Sequence, residues 1–213
     1  MTIRVLLADD HTMFRDGLKS LLSSTPDIQV IAEVGNGGDA VRRIQDLKPD
    51  VALMDLSMPE VNGIEAARML QGKCPATLVV ILSMHSSSEH VFRASEAGAA
   101  GYLLKESAGT ELVAAVRAVH GGQRYVSGAI AAYRPSVQAA AGRAGPLASL
   151  SGRERQVLQL VVEGHSSAEI ARRVHLSPKS VDTYRSRLMK KLGVGDVPAL
   201  VKFAIQHGIT PSG

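Results

Sequence analysis

Five polar residues stand where short apolar runs end. Asp9 and Asp10 follow Ile3–Ala8, Asp55 follows Val51–Met54, Ser83 follows Leu78–Leu82, and Lys105 follows Gly101–Leu104. Short apolar runs bounded by turn residues read as buried strands. The polar residues therefore fall just past the C-terminal ends of four different strands. In a doubly wound parallel sheet, ligands collect at those ends, beside the switch in strand order. If the first strand lies beside the third, three carboxylates converge. Such charges repel and raise one another's pKa unless a hard cation sits between them. Mg²⁺ suits that place, because it takes oxygen ligands and keeps waters for an incoming phosphoryl group. Asp-Asp, Asp, Ser and Lys, each just past a different strand, together form a phosphoryl-transfer constellation. Singly, each has a plainer explanation: a helix N-cap for Asp9 or Asp10, a loop hydroxyl for Ser83, a solvated charge for Lys105. Their coincidence at corresponding strand ends argues for chemistry.

The elements that must hold them alternate regularly. Gln29–Val34 supplies a further apolar run, making five expected strands. Helical patterns at Thr12–Leu22, Asp39–Leu47, Ile64–Leu70, Ser88–Ala97 and Thr110–His120 lie between and after them. This alternation predicts an α/β doubly wound five-stranded parallel sheet over residues 1–121. Gly121-Gly122 closes the last helix. Residues 122–148, rich in Ala, Gly and Pro, read as a linker with a local helix near Ser127–Tyr133. Residues 149–213 then read as a small all-α domain of four helices. The first is capped by the Ser151–Glu154 box, and the third has Ser177 as N-cap, Pro178 at its first position and Gly193 as terminator. Asp196 caps the fourth, with Pro198 in its first turn.

Charge separates the two ends. Residues 1–121 carry 11 Lys and Arg against 15 Asp and Glu, a net of −4; residues 122–213 carry 13 against 5, a net of +8. The basic end is the candidate for nucleic acid. A lone cysteine, Cys74, excludes an internal disulfide framework and fits a cytoplasmic location. No apolar run is long enough to span a membrane, and the apolar start is too short for a signal peptide.

The stretches LLADDH, DLSMPEVNG, ILSMH and GYLLKES resemble the receiver domain of two-component response regulators over residues 2–121. The resemblance implies that Asp55 accepts a phosphoryl group from a sensor histidine kinase. It implies further that Asp10 binds Mg²⁺, with Asp9 assisting through water and the backbone carbonyl of Ser57 completing the protein ligands beside Asp55. Ser83 becomes the switch hydroxyl, Tyr102 the aromatic switch and Lys105 the partner of the phosphoryl group. Pro59 and Gly63 shape the loop after Asp55. Met84 is bulkier than alanine, which would slow dephosphorylation by restricting water.

Near the other end, AEIARRV, the turn HLS and a polar-basic second helix fit a helix-turn-helix. Val181, Leu188 and Leu192, with Tyr184 and Arg185, form its inner stripe; Lys179, Thr183, Ser186, Arg187 and Lys190 lie opposite. LSGRERQVLQLVVEGHSSAEIARRVHLSPKSVDTYRSRLMKKLGV resembles the LuxR-type domain, and the whole chain is similar to the NarL/FixJ class of regulators. VDTYRSRLMKKL is close to the variant of regulators similar to GacA. The match implies that Lys179, Asp182, Thr183 and Ser186 face bases, while Ser180, Tyr184, Arg187 and Lys190 reach or flank phosphates. Two positions depart from the family pattern. Ser167-Ala168 stands where many relatives have Asn-Lys, and Asp182 where many have a basic residue. Asp182 repels phosphate but could accept from cytosine N4.

The expected function is a phosphorylation-dependent transcriptional regulator that binds double-stranded DNA. The expected form when phosphorylated is a homodimer, with RNA polymerase as a further partner and no dedicated enzymatic activity. An aspartate-nucleophile phosphatase is the rival. It usually needs a second acid two residues after the nucleophile, where this chain has Ser57, and it usually carries a cap domain. A receiver that acts by protein docking alone is the third reading. Steep salt dependence of duplex binding would separate it.

Overall fold

The computed structural model describes residues 2–131, 146–207 and 209. Two compact units divide the chain, Met1–Gly142 and Arg143–Gly213.

In the first unit, β1 (Ile3–Ala8), β2 (Ile28–Val34), β3 (Val51–Asp55), β4 (Leu78–Ser83), β5 (Gly101–Leu104) and β6 (Tyr125–Val126) form one parallel sheet in the order β2-β1-β3-β4-β5-β6. The central strands β3, β4 and β5 are almost wholly buried, so their sequences run apolar without alternation. One sheet face packs against α2 (Gly37–Leu47), α3 (Gly63–Leu70) and α4 (Ser88–Glu96). The other packs against α1 (Thr12–Ser23) and α5 (Ala108–His120). Asn36, Asn62 and Ser87 cap α2, α3 and α4 by accepting a backbone N–H with their side chains. A 3₁₀ turn, Lys105–Ser107, joins β5 to α5.

The sheet has six strands where five were expected. Tyr125–Val126 falls inside the stretch read as linker, yet it pairs with Gly101 and Tyr102 of β5. The short helix α6 (Gly128–Ala131) follows it, and Ile130 enters the core beneath α4. The Glu111 carboxylate on α5 holds this extension, accepting from Tyr125 Oη at 3.0 Å, Ser127 Oγ at 2.6 Å and the Gly128 N–H at 3.4 Å. The expected local helix is thus present as far as Ala131; residues 132 and 133 lie outside the described residues.

In the second unit, a 3₁₀ turn (Pro146–Ser149) precedes α7 (Gly152–Val162), α8 (Ser167–Val174), α9 (Pro178–Leu192) and α10 (Val197–Gln206). Val157, Leu158, Ile170, Val174, Val181, Leu188, Leu200 and Ala204 fill its core. Ser151 and Ser166 close reciprocal capping boxes with Glu154 and Glu169. Gly193 takes the left-handed conformation that ends α9. Buried Glu154 also receives Lys191 Nζ at 2.7 Å, tying α7 to the end of α9.

Candidate phosphoryl-acceptor site and recognition helix

Strand register builds the first site. Ala8 of β1 pairs with Met54 of β3, so Asp9 and Asp55 leave the sheet side by side. Lys105, one residue past β5, reaches back to both. Its Nζ lies 2.8 Å from Asp9 Oδ2 and 3.0 Å from Asp55 Oδ2, with all three side chains at most 8% exposed. The Phe14 ring of α1 sits 4.8 Å from the same ammonium. His11 Nδ1 approaches Asp10 Oδ1 at 2.9 Å, and the His11 N–H donates to Asp9 Oδ1 at 2.9 Å. Arg15 donates to the Asp9 carbonyl, fixing the first turn of α1 under the acid pair. Sequence reasoning assigned no role to His11, Phe14 or Arg15. The i, i+4 spacing of His11 and Arg15 in the first turn of a helix behind two acids was the available signal.

The loop after Asp55 leaves no room for side chains at one point. A Cβ on Gly63 would lie 2.3 Å from the Asp55 carbonyl oxygen, so glycine is required where α3 starts against β3. Pro59 accepts the Val61 N–H at 2.7 Å, tightening the same loop. The Ser57 N–H donates to the Asp55 carboxylate.

Electrostatics explains the ionic state. Burial pushes the Asp55 carboxyl up to about 6 from the usual 3.8. Asp9 adds to that rise, and Lys105 opposes it. For Lys105, burial favours the neutral amine, but Asp55 and Asp9 outweigh it and hold the pKa above the ordinary value. One ammonium thus serves two buried acids. Asp9 Oδ2, Asp10 Oδ1 and Asp55 Oδ2 are all buried, with Lys105 Nζ beside the first and third and His11 Nδ1 beside the second. Ligand atoms of Asp9, Asp10, His11 and Asp55 lie within 4.8 Å of one another. Three carboxylates crowded into that cluster around one ammonium fit a hard, oxygen-seeking divalent cation such as Mg²⁺.

Ser83 and Tyr102 lie next to this cluster, at the end of β4 and in β5, and both are buried. Burial pushes the Tyr102 phenol up to about 12, against the opposing pull of a hydrogen bond with Ser83. Met84, beside them, is 72% exposed.

The basic helix α9 shows the expected two faces. Val181 and Leu188 are buried, and Tyr184, Met189 and Leu192 are half-buried against the domain core. Lys179, Asp182, Thr183, Ser186, Arg187 and Lys190 are exposed, whereas Ser180 is half-buried. Ser180 shares a bond with the Ser177 hydroxyl at 2.9 Å as part of the N-cap. Thr183 Oγ1 donates to the Lys179 carbonyl at 2.9 Å, turning its hydroxyl along its own helix. Asp182 accepts from Ser167 Oγ at 2.7 Å and lies 3.5 Å from Arg185. Ser167 and Asp182 are therefore bonded across two helices. Fifteen residues separate them, and no local pattern signals the pairing.

Comparison with known proteins matches a family to each of the two units. The response regulator receiver domain matches residues 5–117, and the luxR family of bacterial regulatory proteins matches residues 148–204. Response regulator UvrY of Escherichia coli K12 is 39% identical over 209 residues, spanning 97% of this chain and 95% of its own. Response regulator GacA of Pseudomonas aeruginosa is 36% identical over 213 residues, spanning 97% of each. A solved structure of RcsB from Salmonella enterica serovar Typhimurium is bound to promoter P1flhDC in the presence of the phosphomimetic BeF3⁻. It aligns with a TM-score of 0.65 at 26% identity, over 95% of this chain and 98% of that one.

Proposed function

We propose how this chain signals from the fact that it belongs to the two-component response regulators, DNA-binding transcriptional regulators that join a receiver to a LuxR-type domain. Asp55 is the phosphoacceptor. A carboxylate oxygen of Asp55 attacks phosphorus while the bond from phosphorus to the imidazole of a sensor histidine kinase breaks. The observation that carries this reading is Lys105, held 3.0 Å from Asp55 Oδ2 inside a buried cluster where Asp9 and Asp10 crowd the same point.

Asp9, Asp10, Asp55 and the Ser57 carbonyl would hold Mg²⁺, which when bound neutralises the acids and the phosphoryl oxygens. Lys105 keeps its charge at every physiological pH and exchanges a carboxylate oxygen for a phosphoryl oxygen. Ser83 donates its hydroxyl to the phosphoryl group. Tyr102 follows through the loop it shares with Ser83, and that shift biases a two-state element. The chain has no dedicated enzymatic activity beyond taking and losing this group. Among the described residues no helix is long and apolar enough to cross a membrane, and we place the protein in the cytoplasm.

The output is dimeric binding to double-stranded DNA by residues 149–213. Lys179, Asp182, Thr183 and Ser186 face bases; Ser180, Tyr184, Arg187 and Lys190 reach or flank phosphates; RNA polymerase is the further partner of an activator. The RcsB complex with promoter DNA supports this assignment by analogy. Duplex binding by the full chain, measured with and without a small phosphodonor over a salt series, tests it. The reading requires tighter binding after phosphorylation and a steep fall with salt. Equal, salt-insensitive affinities would remove it.

A further inference from the structure

Helix α9 carries five cations, Lys179, Arg185, Arg187, Lys190 and Lys191, and one acid, Asp182. That acid lies on the exposed face, with its side chain 54% accessible. Facing a phosphate backbone, a carboxylate is repelled and weakens binding. A major groove nevertheless offers it one kind of favourable partner, an exocyclic amine on a base edge. The sequence spends a negative charge in the place where charge is most costly. The structure also fixes where that charge points.

Ser167, at the first position of α8, donates its hydroxyl to Asp182 Oδ1 at 2.7 Å. Arg185, one turn along α9, lies 3.5 Å from the same oxygen. Both contacts engage Oδ1, and no described residue engages Oδ2. The carboxylate is thus held in one orientation with its second oxygen unspent. An exposed side chain oriented by a bond from a different helix loses less conformational freedom on binding than a free one.

We infer that Asp182 is a specificity-determining residue that accepts a hydrogen bond from the N4 amine of cytosine, and that Ser167 is its positioning residue. This rests on the proposed DNA-binding face of α9 and names what that face reads. Cytosine is favoured over adenine because the adenine edge pairs its N6 donor with the N7 acceptor. A carboxylate has no proton to offer that acceptor, and it is repelled by it. Guanine presents two acceptors and is rejected outright.

The test is selection of binding sites from a random duplex pool by the full chain with a small phosphodonor. Wild type should enrich cytosine at one position of each half-site, by roughly 5- to 100-fold over the other bases. Asp182→Ala should flatten that position alone, leave the remaining positions unchanged, and bind random duplex a few-fold more tightly. Asp182→Asn keeps the bond from Ser167 but adds donor protons, so the preference should move to adenine. Ser167→Ala should weaken the cytosine preference at the same position, and Ser167→Thr should restore it. A purely structural tie between α8 and α9 would lower stability in Ser167→Ala without changing any base preference. Identical selected sites for wild type and Asp182→Ala would overturn the inference. So would a base other than cytosine at the position that Asp182→Ala alters. A wild-type chain that enriches no sequence at all would instead sink the DNA-binding face on which the inference stands.

Discussion

Ser83 and Tyr102 hold the same residue from opposite sides. The His85 N–H donates to Ser83 Oγ at 2.9 Å, and the Tyr102 hydroxyl donates to the His85 carbonyl at 2.7 Å. Drawing Ser83 toward a phosphoryl group on Asp55 would release one side of that grip. Ser83→Ala and Tyr102→Phe should therefore still accept phosphate on Asp55, yet lose most of the phosphorylation response in DNA binding. The intact coupling is expected at about 1–3 kcal/mol, or roughly 5–150-fold in affinity. Titrating a specific duplex with each phosphorylated variant measures it, and an undiminished response would end the switch assignment.

The ionised Asp55 burdens the fold without a divalent cation. Its raised pKa, about 6 against the usual 3.8, means the folded state holds a proton that the unfolded chain has released. The cost is absent below pH about 4, grows as pH rises, and is complete above pH about 6. Asp55→Asn should therefore be more stable than wild type above that range, by on the order of 2–3 kcal/mol. The gap should close on acidification. Mg²⁺ should stabilise wild type by about 2.7 kcal/mol at a hundred times Kd, and the variant by much less. Denaturant melts across pH, with and without Mg²⁺, read both effects.

Glu111 fastens β6 to the first unit. Glu111→Gln should weaken its bonds to Tyr125, Ser127 and Gly128 and speed amide exchange at Ser127, whose N–H donates to the Tyr102 carbonyl. Burial, and then the bond to Glu111, push the Tyr125 phenol up to about 12. Ultraviolet titration should find that phenol lower in the variant.

In the second unit, burial favours the neutral form of Glu154, but bonds from Lys191 and Ser151 outweigh it and hold its pKa below the ordinary range. Lys191→Ala should cost about 1 kcal/mol at neutral pH. A lowered acid pKa contributes stability that is present above about 4.5 and lost as pH falls through the folded value. The difference between variant and wild type should accordingly shrink in acid to what the bond from Lys191 to the Ser149 carbonyl supplies.

Lys190→Ala should weaken every duplex alike and lower the salt slope by about 1, because this exposed lysine is assigned to a phosphate and not to a base edge. A change in sequence preference would place Lys190 on a base edge.

The sequence disclosed most of the sheet because its buried strands are apolar throughout and end abruptly in polar residues. Asp9, Asp55, Ser83 and Lys105 were legible for that reason. The strand β6 was not. Two residues have no periodicity, and their position depends on Glu111, fourteen residues earlier on a helix. The third helix was legible from Ser177, Pro178 and Gly193, whose conformations a helix end demands. The orientation of its side chains was hidden. Thr183 turns its hydroxyl to Lys179, and Asp182 takes a bond from Ser167 across a helix boundary. The first is a local back-bond within one helix, whereas the second depends on the packing of two helices rather than on spacing along the chain.

The central claim is that Asp55 takes the phosphoryl group. Intact mass after incubation with a small phosphodonor and Mg²⁺ tests it directly. Wild type should gain one phosphoryl group, stable in acid and lost in base, and a chelator should prevent the gain. Asp55→Asn should gain none under any of these conditions. A phosphoryl group of equal stoichiometry on Asp55→Asn would contradict the account and move the nucleophile elsewhere.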